Sequence, residues 1–466
     1  MARRKVLKLT PVLVTLNVLV LLIIASFYIT RLVKYYLLEN GTKKPNEATI
    51  LVDTLIKKQS YLDLTKGLVL DEETNTYIYK GDVKDNYVLY SGNLYRIINI
   101  DGNKNIKMIS ENTLTLMYSG LEKGYNNSYV NKWLNKTDTK YSGVYENSLY
   151  KADKLLTTTT LCDDAIDDLT NITCEVTNLD NKVTLLSLYD YYRAGAKESF
   201  LNNGELFYTA SLNSEKNNYF INNEGDIGIN NITTKTYGVR PVITLDAKTV
   251  QISGDGTESD PYIIEKHKID TLADLYTGNY IEFDGQTYKV VSKSEESVKV
   301  VAVEMLKDEE GNSITKAFGS NNSYTASNTV GKYLNETFLN TLPNKDSIVK
   351  SYWYTGAFTL DALDYAKVYN SKVSTKVGML TLGEFYIHEI NDVFTISKSI
   401  GDDDIINIIN EEGHVFGDKT TNKHNIRVSF NLSSDIIITN GIGTIDSPYA
   451  LGVDNEKTED TKEEEK

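Results

Sequence analysis

The 466-residue sequence has few of the side chains that most often build metal and nucleophilic sites. It contains two cysteines, Cys162 and Cys174, and four histidines: His267, His388, His414 and His424. A zinc site needs Cys or His ligands at short, regular spacings, and these residues are scattered along the chain. The sequence therefore predicts no metal site, no cofactor and no catalytic residue.

Positive charge is also scarce, since 49 Lys and Arg face 64 Asp and Glu, for a net charge of -15. A nucleic-acid binder needs a basic face, and no long basic run occurs outside the N-terminus. We therefore expect no nucleic-acid partner, although binding of cations or basic partners stays open. Hydrophobic residues at 41% and charged residues at 24% are typical of folded protein, and the length predicts two or three domains.

The two cysteines lie close together in the sequence. If this region faces an oxidising compartment, the pattern predicts a disulfide that closes a short loop, with Cα atoms about 4.4–6.8 Å apart. Two free thiols and a catalytic role are the alternatives.

An uncharged apolar run of 19 residues covers positions 12–30 and is long enough to cross a bilayer as a helix. Four basic residues precede it and two follow closely, which favours a cytoplasmic N-terminus at 1–11. The run predicts a single transmembrane helix, a stalk at 31–68, and a cell-membrane location with the remaining chain extracellular. A cleaved signal peptide would need a small-residue cleavage site, and no clear one follows.

The sequence repeats itself at a nearly constant offset, which indicates a duplicated domain. The segment NYVLYSGNLYRII at 86–98 matches NYIEFDGQTYKVV at 279–291, and each reads as two strands around a turn. The segment VNKWLN at 130–135, which includes Trp133, matches VGKYLN at 330–335. This second match predicts a short helix with one apolar face.

A third match pairs KVTLLSLYDYY at 182–192 with KVGMLTLGEFY at 376–386. Each predicts a buried strand that leads into a capped helix, because a hydroxyl can accept from a first-turn N–H while a carboxylate three positions later answers it. The capping pairs are Ser187 with Asp190 and Thr381 with Glu384.

The closing segments match as well. YGVRPVITL at 237–245 corresponds to HNIRVSFNL at 424–432, and GDGTESDPY at 254–262 corresponds to GIGTIDSPY at 441–449. Each closing strand begins with an arginine, Arg240 or Arg427.

The matches predict a first repeat at 69–266, a second repeat at 267–452, and a disordered acidic tail at 453–466.

The opening, helix-start and closing segments resemble a domain of unknown function that is widespread in surface proteins of low-GC Gram-positive bacteria. The resemblance covers both repeats and is weaker in the second, where Val428 replaces Pro241. The order of the motifs is also similar to the C-type-lectin-like fold of formylglycine-generating enzymes and bacterial adhesion modules. This resemblance implies an α+β class, with two tandem C-type-lectin-like mixed α/β domains behind one transmembrane helix.

The anchor, the duplication and the resemblance together imply a membrane-anchored extracellular binding or adhesion protein with two non-catalytic domains. Its ligand would be a surface glycan, cell-wall material or a protein. A structural spacer or a subunit of a surface assembly is the main alternative. A formylglycine-generating enzyme is a remote one, because that chemistry needs a thiol-based copper site and the second repeat has no cysteine.

The two arginines are predicted to be structural, as is Trp133. An unpaired buried charge is costly, so we expect Arg240 to pair with Asp190 or with backbone carbonyls near it, and Arg427 with Glu384 or its surroundings. The alternative is that both arginines face an open cleft and hold an anionic ligand. The sequence identifies no ligand-binding residue.

Overall fold

The computed structural model describes residues 49–117, 120, 124–136, 142–162, 165–174, 176–177, 181–230, 235–266, 268–356, 371–382, 384 and 392–454. The predicted anchor at 12–30 and its flanking segments up to residue 48 lie outside these ranges, as does the acidic tail from residue 455. Within the described ranges, no helix is both long and apolar enough to cross a membrane. The described structure therefore does not support the predicted single-pass membrane location with extracellular domains.

The described chain is mostly β-structure, with 38% of its residues in strands and 15% in helices. The predicted α+β class with mixed α/β domains is therefore wrong. The helix Leu188–Ala194 starts after its predicted cap, Ser187, but the described α-helices are only four to seven residues long. The helix Leu188–Ala194, for example, ends at Gly195, whose φ of 110° is a conformation that glycine adopts readily.

The first repeat and the segment before it contain 18 strands and five α-helices among the described residues. The strands are β1 (Thr49–Ile50), β2 (Gly67–Asp71), β3 (Thr76–Lys80), β4 (Tyr87–Tyr90), β5 (Asn93–Ile100), β6 (Ile106–Ser110), β7 (Thr115–Met117), β8 (Leu156–Thr157), β9 (Leu161–Cys162), β10 (Val176–Thr177), β11 (Val183–Thr184), β12 (Phe207–Leu212), β13 (Asn218–Ile221), β14 (Ile227–Asn230), β15 (Tyr237–Val239), β16 (Val242–Leu245), β17 (Val250–Gln251) and β18 (Tyr262–Ile263). The helices are α1 (Leu51–Ile56), α2 (Tyr129–Leu134), α3 (Val144–Ser148), α4 (Ala152–Leu155) and α5 (Leu188–Ala194).

The described part of the second repeat contains 15 strands and one α-helix. The strands are β19 (Tyr280–Phe283), β20 (Gln286–Lys293), β21 (Ser297–Ala302), β22 (Thr315–Ala317), β23 (Ile348–Val349), β24 (Ser351–Tyr354), β25 (Lys372–Thr375), β26 (Val377–Gly378), β27 (Val393–Lys398), β28 (Ile405–Ile409), β29 (Val415–Lys419), β30 (Lys423–Asn425), β31 (Ser429–Ser433), β32 (Ile438–Asn440) and β33 (Tyr449–Leu451). Helix α6 (Thr329–Lys332) continues into a π-helical turn, Tyr333–Thr337, and a 3-10 turn, Phe338–Thr341.

The same strand order occurs twice. The main sheet of the first repeat contains the path β11-β16-β6-β5-β4-β18, and that of the second contains β26-β31-β21-β20-β19-β33. A five-stranded sheet, β14-β13-β12-β15-β7, has its counterpart in β29-β28-β27-β30-β22. Even the irregularity in the central ladder recurs, between β5 and β6 and between β20 and β21. The boundaries at residues 266 and 452 stay a prediction.

The two repeats share a packed junction. Val291 and Val301 of the second repeat belong to the same buried apolar cluster as the core of the first. Lys289 Nζ donates to Leu114 O at 2.7 Å across the junction. The turn glycine of the first repeat, Gly92, packs so closely on the second that an added Cβ would lie 2.8 Å from Tyr276.

Candidate functional site

One asparagine in each repeat, just after the apolar-faced helix, holds a strand that lies more than 40 positions later in the chain. Asn135 Oδ1 accepts from Val183 N at 2.9 Å, and its Nδ2 donates to Val183 O at 2.7 Å. Asn335 makes the same pair of hydrogen bonds to Val377, at 3.1 and 3.0 Å. Because both asparagines are held in the same way, the aromatic residues two positions earlier, Trp133 and Tyr333, lie at equivalent points of the two repeats.

Three buried aromatic side chains meet in the first repeat. Tyr145, on α3, forms a hydrogen bond through its hydroxyl with the hydroxyl of Tyr95. Its ring stacks on Trp133 with centroids 5.6 Å apart and planes inclined by 20°. All three side chains are at most 1% exposed. The first repeat therefore contains a closed aromatic cluster with Tyr145 as the member that contacts both others.

The second repeat keeps the two outer rings of this cluster. Tyr288 takes the place of Tyr95 in the strand ladder, and Tyr333 takes that of Trp133. Tyr333 contacts no aromatic ring within the described ranges. The Tyr288 hydroxyl likewise has no hydrogen-bonding partner among the described residues. Within the described ranges, no ring of the second repeat takes the position that Tyr145 fills in the first.

A shorter connection explains the missing ring. Tyr150 N donates to Ser91 Oγ at 2.9 Å, and at the equivalent point Asn344 N donates to Asp284 Oδ2 at 3.0 Å. Tyr150 lies 150 − 135 = 15 positions after Asn135, whereas Asn344 lies only 344 − 335 = 9 positions after Asn335. The second repeat is thus six residues shorter here, and it forms tight turns instead of α3.

A cavity of about 660 Å³ lies at this place, and we call it the repeat-two pocket. Tyr288, Phe338 and Val428 contribute to its apolar lining, and Tyr333 lies at its side. A hairpin at residues 307–314, which has no counterpart after Leu114 in the first repeat, forms one wall. Its turn is held by Ile314 N, which donates to Leu306 O at 2.8 Å.

The rim of the repeat-two pocket is acidic. Asn312 N donates to Asp308 at 2.8 Å, and this bond and others from the hairpin backbone lower the pKa of Asp308. The ion pair with Lys307 lowers the pKa of Glu304. The lining has four carboxylates, of Asp284, Glu304, Asp308 and Glu309, and the one ammonium of Lys307. Their formal net charge is −3.

The Tyr288 hydroxyl supplies a polar group at the floor of the repeat-two pocket. Burial raises the pKa of Tyr288 above its ordinary value, so the hydroxyl stays protonated at neutral pH. A phenol can both donate and accept a hydrogen bond. Within the described ranges, no group of three His, Cys, Asp or Glu side chains is placed to hold a metal ion. The arrangement can therefore bind a group with an apolar ring and a polar end.

Arg240 lies elsewhere and is fully buried, with 0% exposure. Its Nε donates to Ser110 O at 3.0 Å, its Nη1 donates to Leu201 O at 2.8 Å, and its guanidinium lies 4.6 Å from the ring centroid of Phe207. Burial lowers the pKa of Arg240 to about 10. The predicted pairing with Asp190 itself is not formed, because the backbone carbonyls of Ser110 and Leu201 accept these hydrogen bonds.

Asp190 and Glu384 pair with lysines instead. Lys107 Nζ lies 3.0 Å from Asp190 Oδ2, and Lys299 Nζ lies 2.7 Å from Glu384 Oε1. Arg427, 4% exposed, donates from Nη1 to Val303 O at 2.7 Å. These groups are held inside the repeats and do not line the repeat-two pocket.

The two cysteines form the predicted disulfide. Cys162 and Cys174 are bonded, with Cα atoms 5.0 Å apart, which confirms the prediction. Cys162 ends β9 and pairs with Val176 of β10 in a two-stranded ladder. The bond therefore ties down a local hairpin in the first repeat.

A second cavity, of about 470 Å³, opens where the two repeats meet. Its lining includes Glu265, whose Oε1 accepts from Ser91 N at 2.6 Å. Burial raises the pKa of Glu265 to about 7, although the Ser91 hydrogen bond acts in the opposite direction. Its remaining lining residues are mostly apolar, among them Ile263, Ile438 and Tyr449.

Sequence reasoning identified Trp133 and the match between 130–135 and 330–335, but not the residues of the repeat-two pocket. The available signal was the six-residue difference that follows this match, since a shortened connection removes whatever the longer one packs inside. No protein-family model matches the chain, and no curated protein or solved structure matches it either.

Proposed function

We propose that the chain is a non-catalytic binding protein made of two duplicated domains, and that the second repeat carries the ligand site. The observation that carries this proposal is one structural position that Tyr145 fills in the first repeat and that is open in the second. The ligand class is a glycan, cell-wall material or a protein segment.

The form of the repeat-two pocket supports this proposal. Small-ligand sites commonly measure about 300–1,000 Å³ and combine an apolar lining with a few polar groups. The repeat-two pocket, at about 660 Å³, has apolar and aromatic side chains below a charged rim. In the described part of the first repeat this position is closed, because Tyr145 is 0% exposed. One site per chain is therefore the expected stoichiometry.

The test uses the full chain and a variant that blocks the pocket. Gln286 is an exposed strand residue that lines the repeat-two pocket, and Gln286→Trp would place a large ring there. Thr315→Trp is the matched control, since Thr315 is an exposed strand residue of the same repeat that does not line the pocket. Both proteins and the wild type would be applied to arrays of cell-wall glycans and of short peptides.

The proposal predicts that some array members bind the wild type and the Thr315→Trp variant equally and bind the Gln286→Trp variant at least about tenfold more weakly. Equal binding by all three proteins would place the site elsewhere and overturn the proposal. If the wild type binds no member of either array, the structural spacer is favoured. The buried contact between Lys289 and Leu114 across the junction also fits a spacer.

A further inference from the structure

The first repeat acts as an internal template for what the repeat-two pocket lacks. There, the Tyr145 hydroxyl meets the hydroxyl of Tyr95 while its ring stacks on Trp133. In the second repeat, the equivalent Tyr288 hydroxyl has no partner in the described part of the chain, although Tyr288 is only 1% exposed. A hydroxyl that lines a largely apolar pocket gains from a hydrogen-bonding partner, so a ligand that bonds this hydroxyl is favoured.

The template also indicates that the missing piece is carried on a polypeptide. Tyr145 reaches its place because a backbone element, α3, carries it from the side of the sheet. The second repeat is six residues too short to build that element. A segment of another protein can supply the same ring on the same kind of support.

The rim specifies the charge of such a segment. Glu309 lies at the rim, is exposed and forms no ion pair within the described ranges, while Lys307 already pairs with Glu304. The formal net charge around the opening is −3, or −2 when the Lys316 ammonium beside Tyr333 is included, and it attracts a cation and repels an anion. The whole chain, at -15, adds to the same preference.

A sugar is a poorer match to this lining. A sugar that stacks on an aromatic ring needs an exposed ring face, and Tyr288 offers almost none because it is 1% exposed. One face of the Tyr333 ring has Lys316 Nζ 4.7 Å from its centroid. The two rings are therefore suited to enclosing a third ring rather than to presenting a platform.

We infer that the repeat-two pocket binds a basic segment of a partner protein, with one tyrosine inserted beside Tyr288 and Tyr333 and with flanking lysines or arginines at the acidic rim. The inference rests on the proposed function and assigns the partner class of that site. The inserted tyrosine takes the part that Tyr145 plays in the first repeat. Its hydroxyl bonds the Tyr288 hydroxyl, and its neighbours contact Glu309 and Asp308.

The test measures binding of three capped peptides to the full chain by isothermal titration calorimetry. The probe is Lys-Lys-Tyr-Lys-Lys, and the comparison peptides replace the tyrosine with alanine or all four lysines with glutamate. We expect the alanine peptide to bind at least about tenfold more weakly, because the buried ring is lost. The glutamate peptide should not bind, and added salt should weaken the binding of the probe peptide.

Two neighbouring carboxylates give a matched pair of protein variants. Glu309→Lys reverses a charge that lines the repeat-two pocket, and Glu310→Lys reverses the adjacent charge, which does not line it. We expect Glu309→Lys to weaken binding of the probe peptide about threefold or more, and Glu310→Lys to weaken it less. Equal effects of the two variants would mean general charge attraction and would overturn the inference.

The failure of this inference and the failure of the proposed function give different results. Suppose that a glycan binds the wild type but not Gln286→Trp, and that the probe peptide does not bind the wild type. The repeat-two pocket is then a ligand site, but the inference about a basic segment is wrong. If the chain self-associates in sedimentation and Gln286→Trp abolishes this, a second copy is the occupant and the inference is also wrong. If no glycan, peptide or second copy depends on Gln286, both proposals fail.

Discussion

Lys107 Nζ lies 3.0 Å from Asp190 Oδ2, with both side chains about nine-tenths buried. The carboxylate also accepts from Asn99 Nδ2 at 3.2 Å, while Asp190 N donates to Ser187 Oγ at the start of α5. Lys299 and Glu384 form the same pair in the second repeat, 2.7 Å apart. The capping carboxylate thus ties the start of the capped segment to the central sheet, a second role beyond the cap.

Asp190→Asn should therefore lower the stability of the chain markedly. It leaves the Lys107 ammonium without its charged partner, and breaking a buried pair costs about 3–5 kcal/mol. Asp226→Asn is the control, because Asp226 pairs with Lys197 at 3.2 Å while both side chains are more than half exposed. The midpoint of urea denaturation measures the stability of both variants against that of the wild type. Equal shifts for the two variants would contradict a structural role for the buried pair.

Arg240→Ala should also be strongly destabilising. It leaves the carbonyls of Ser110 and Leu201 without their donors and removes the guanidinium from the ring of Phe207. The expected loss is about 3 kcal/mol or more, from unpaired acceptors and a cavity together. Arg240→Lys should lose less, since an ammonium can still reach one carbonyl. A melting temperature unchanged by Arg240→Ala would refute this account.

Glu265 should make stability depend on pH. Its folded pKa of about 7 lies above the ordinary value of 4.5, so the folded chain binds more protons between these values than the unfolded chain does. The free energy of unfolding therefore falls as pH rises through this window and stays low above it. Gln keeps an acceptor for Ser91 N without the charge. Glu265→Gln should raise the melting temperature at pH 8 and leave it nearly unchanged at pH 5; equal gains at both would be evidence against burial as the cause.

Loss of the disulfide should destabilise the first repeat. Replacing both Cys162 and Cys174 with serine frees a loop whose ends are 12 positions apart, which costs about 3 kcal/mol on the chain-entropy account. Calorimetry of the oxidised, reduced and doubly substituted chains tests this. Reductant should lower the transition of the wild type and leave that of the double variant unchanged. A reductant effect on the double variant would show that the thiols are not its cause.

Local signals in the sequence predicted the parts of the fold that depend on neighbouring residues. Ser187 caps α5 as its spacing to Asp190 predicts, and the cysteines pair as their proximity indicates. The length of each helix was not predictable in this way, because a cap marks where a helix starts and Gly195 ends α5 early. The result is a mostly β protein in place of the expected mixed class.

Long-range partners were beyond the sequence. Burial of Arg240 follows from the apolar strand around it, but nothing local says that Ser110 and Leu201, far away in the chain, supply the acceptors. The repeat-two pocket was harder still. It arises from residues that the second repeat lacks, and a comparison of matching motifs passes over Tyr145 because Tyr145 has no match.

The open and filled positions can be exchanged experimentally with a small aromatic probe. Tyr145→Ala should cost about 3–5 kcal/mol, because the side chain is fully buried against Tyr95 and Trp133. The cavity it leaves has the shape of a phenol ring, and buried apolar cavities of this kind bind small aromatic molecules. The probe is p-cresol, which matches the tyrosine side chain from Cβ outward and therefore carries one methyl carbon more than Tyr145→Ala removes.

The Gln286→Trp background separates the two sites, since that substitution is designed to block the repeat-two pocket and changes no residue of the first repeat. We expect p-cresol to raise the melting temperature of Gln286→Trp/Tyr145→Ala but not that of Gln286→Trp, because only the former has an open position. In the absence of both substitutions, p-cresol should raise the melting temperature through the repeat-two pocket alone. If p-cresol stabilises Gln286→Trp as much as the wild type, the repeat-two pocket does not accept an aromatic ring, and the correspondence between Tyr145 and the missing ligand fails.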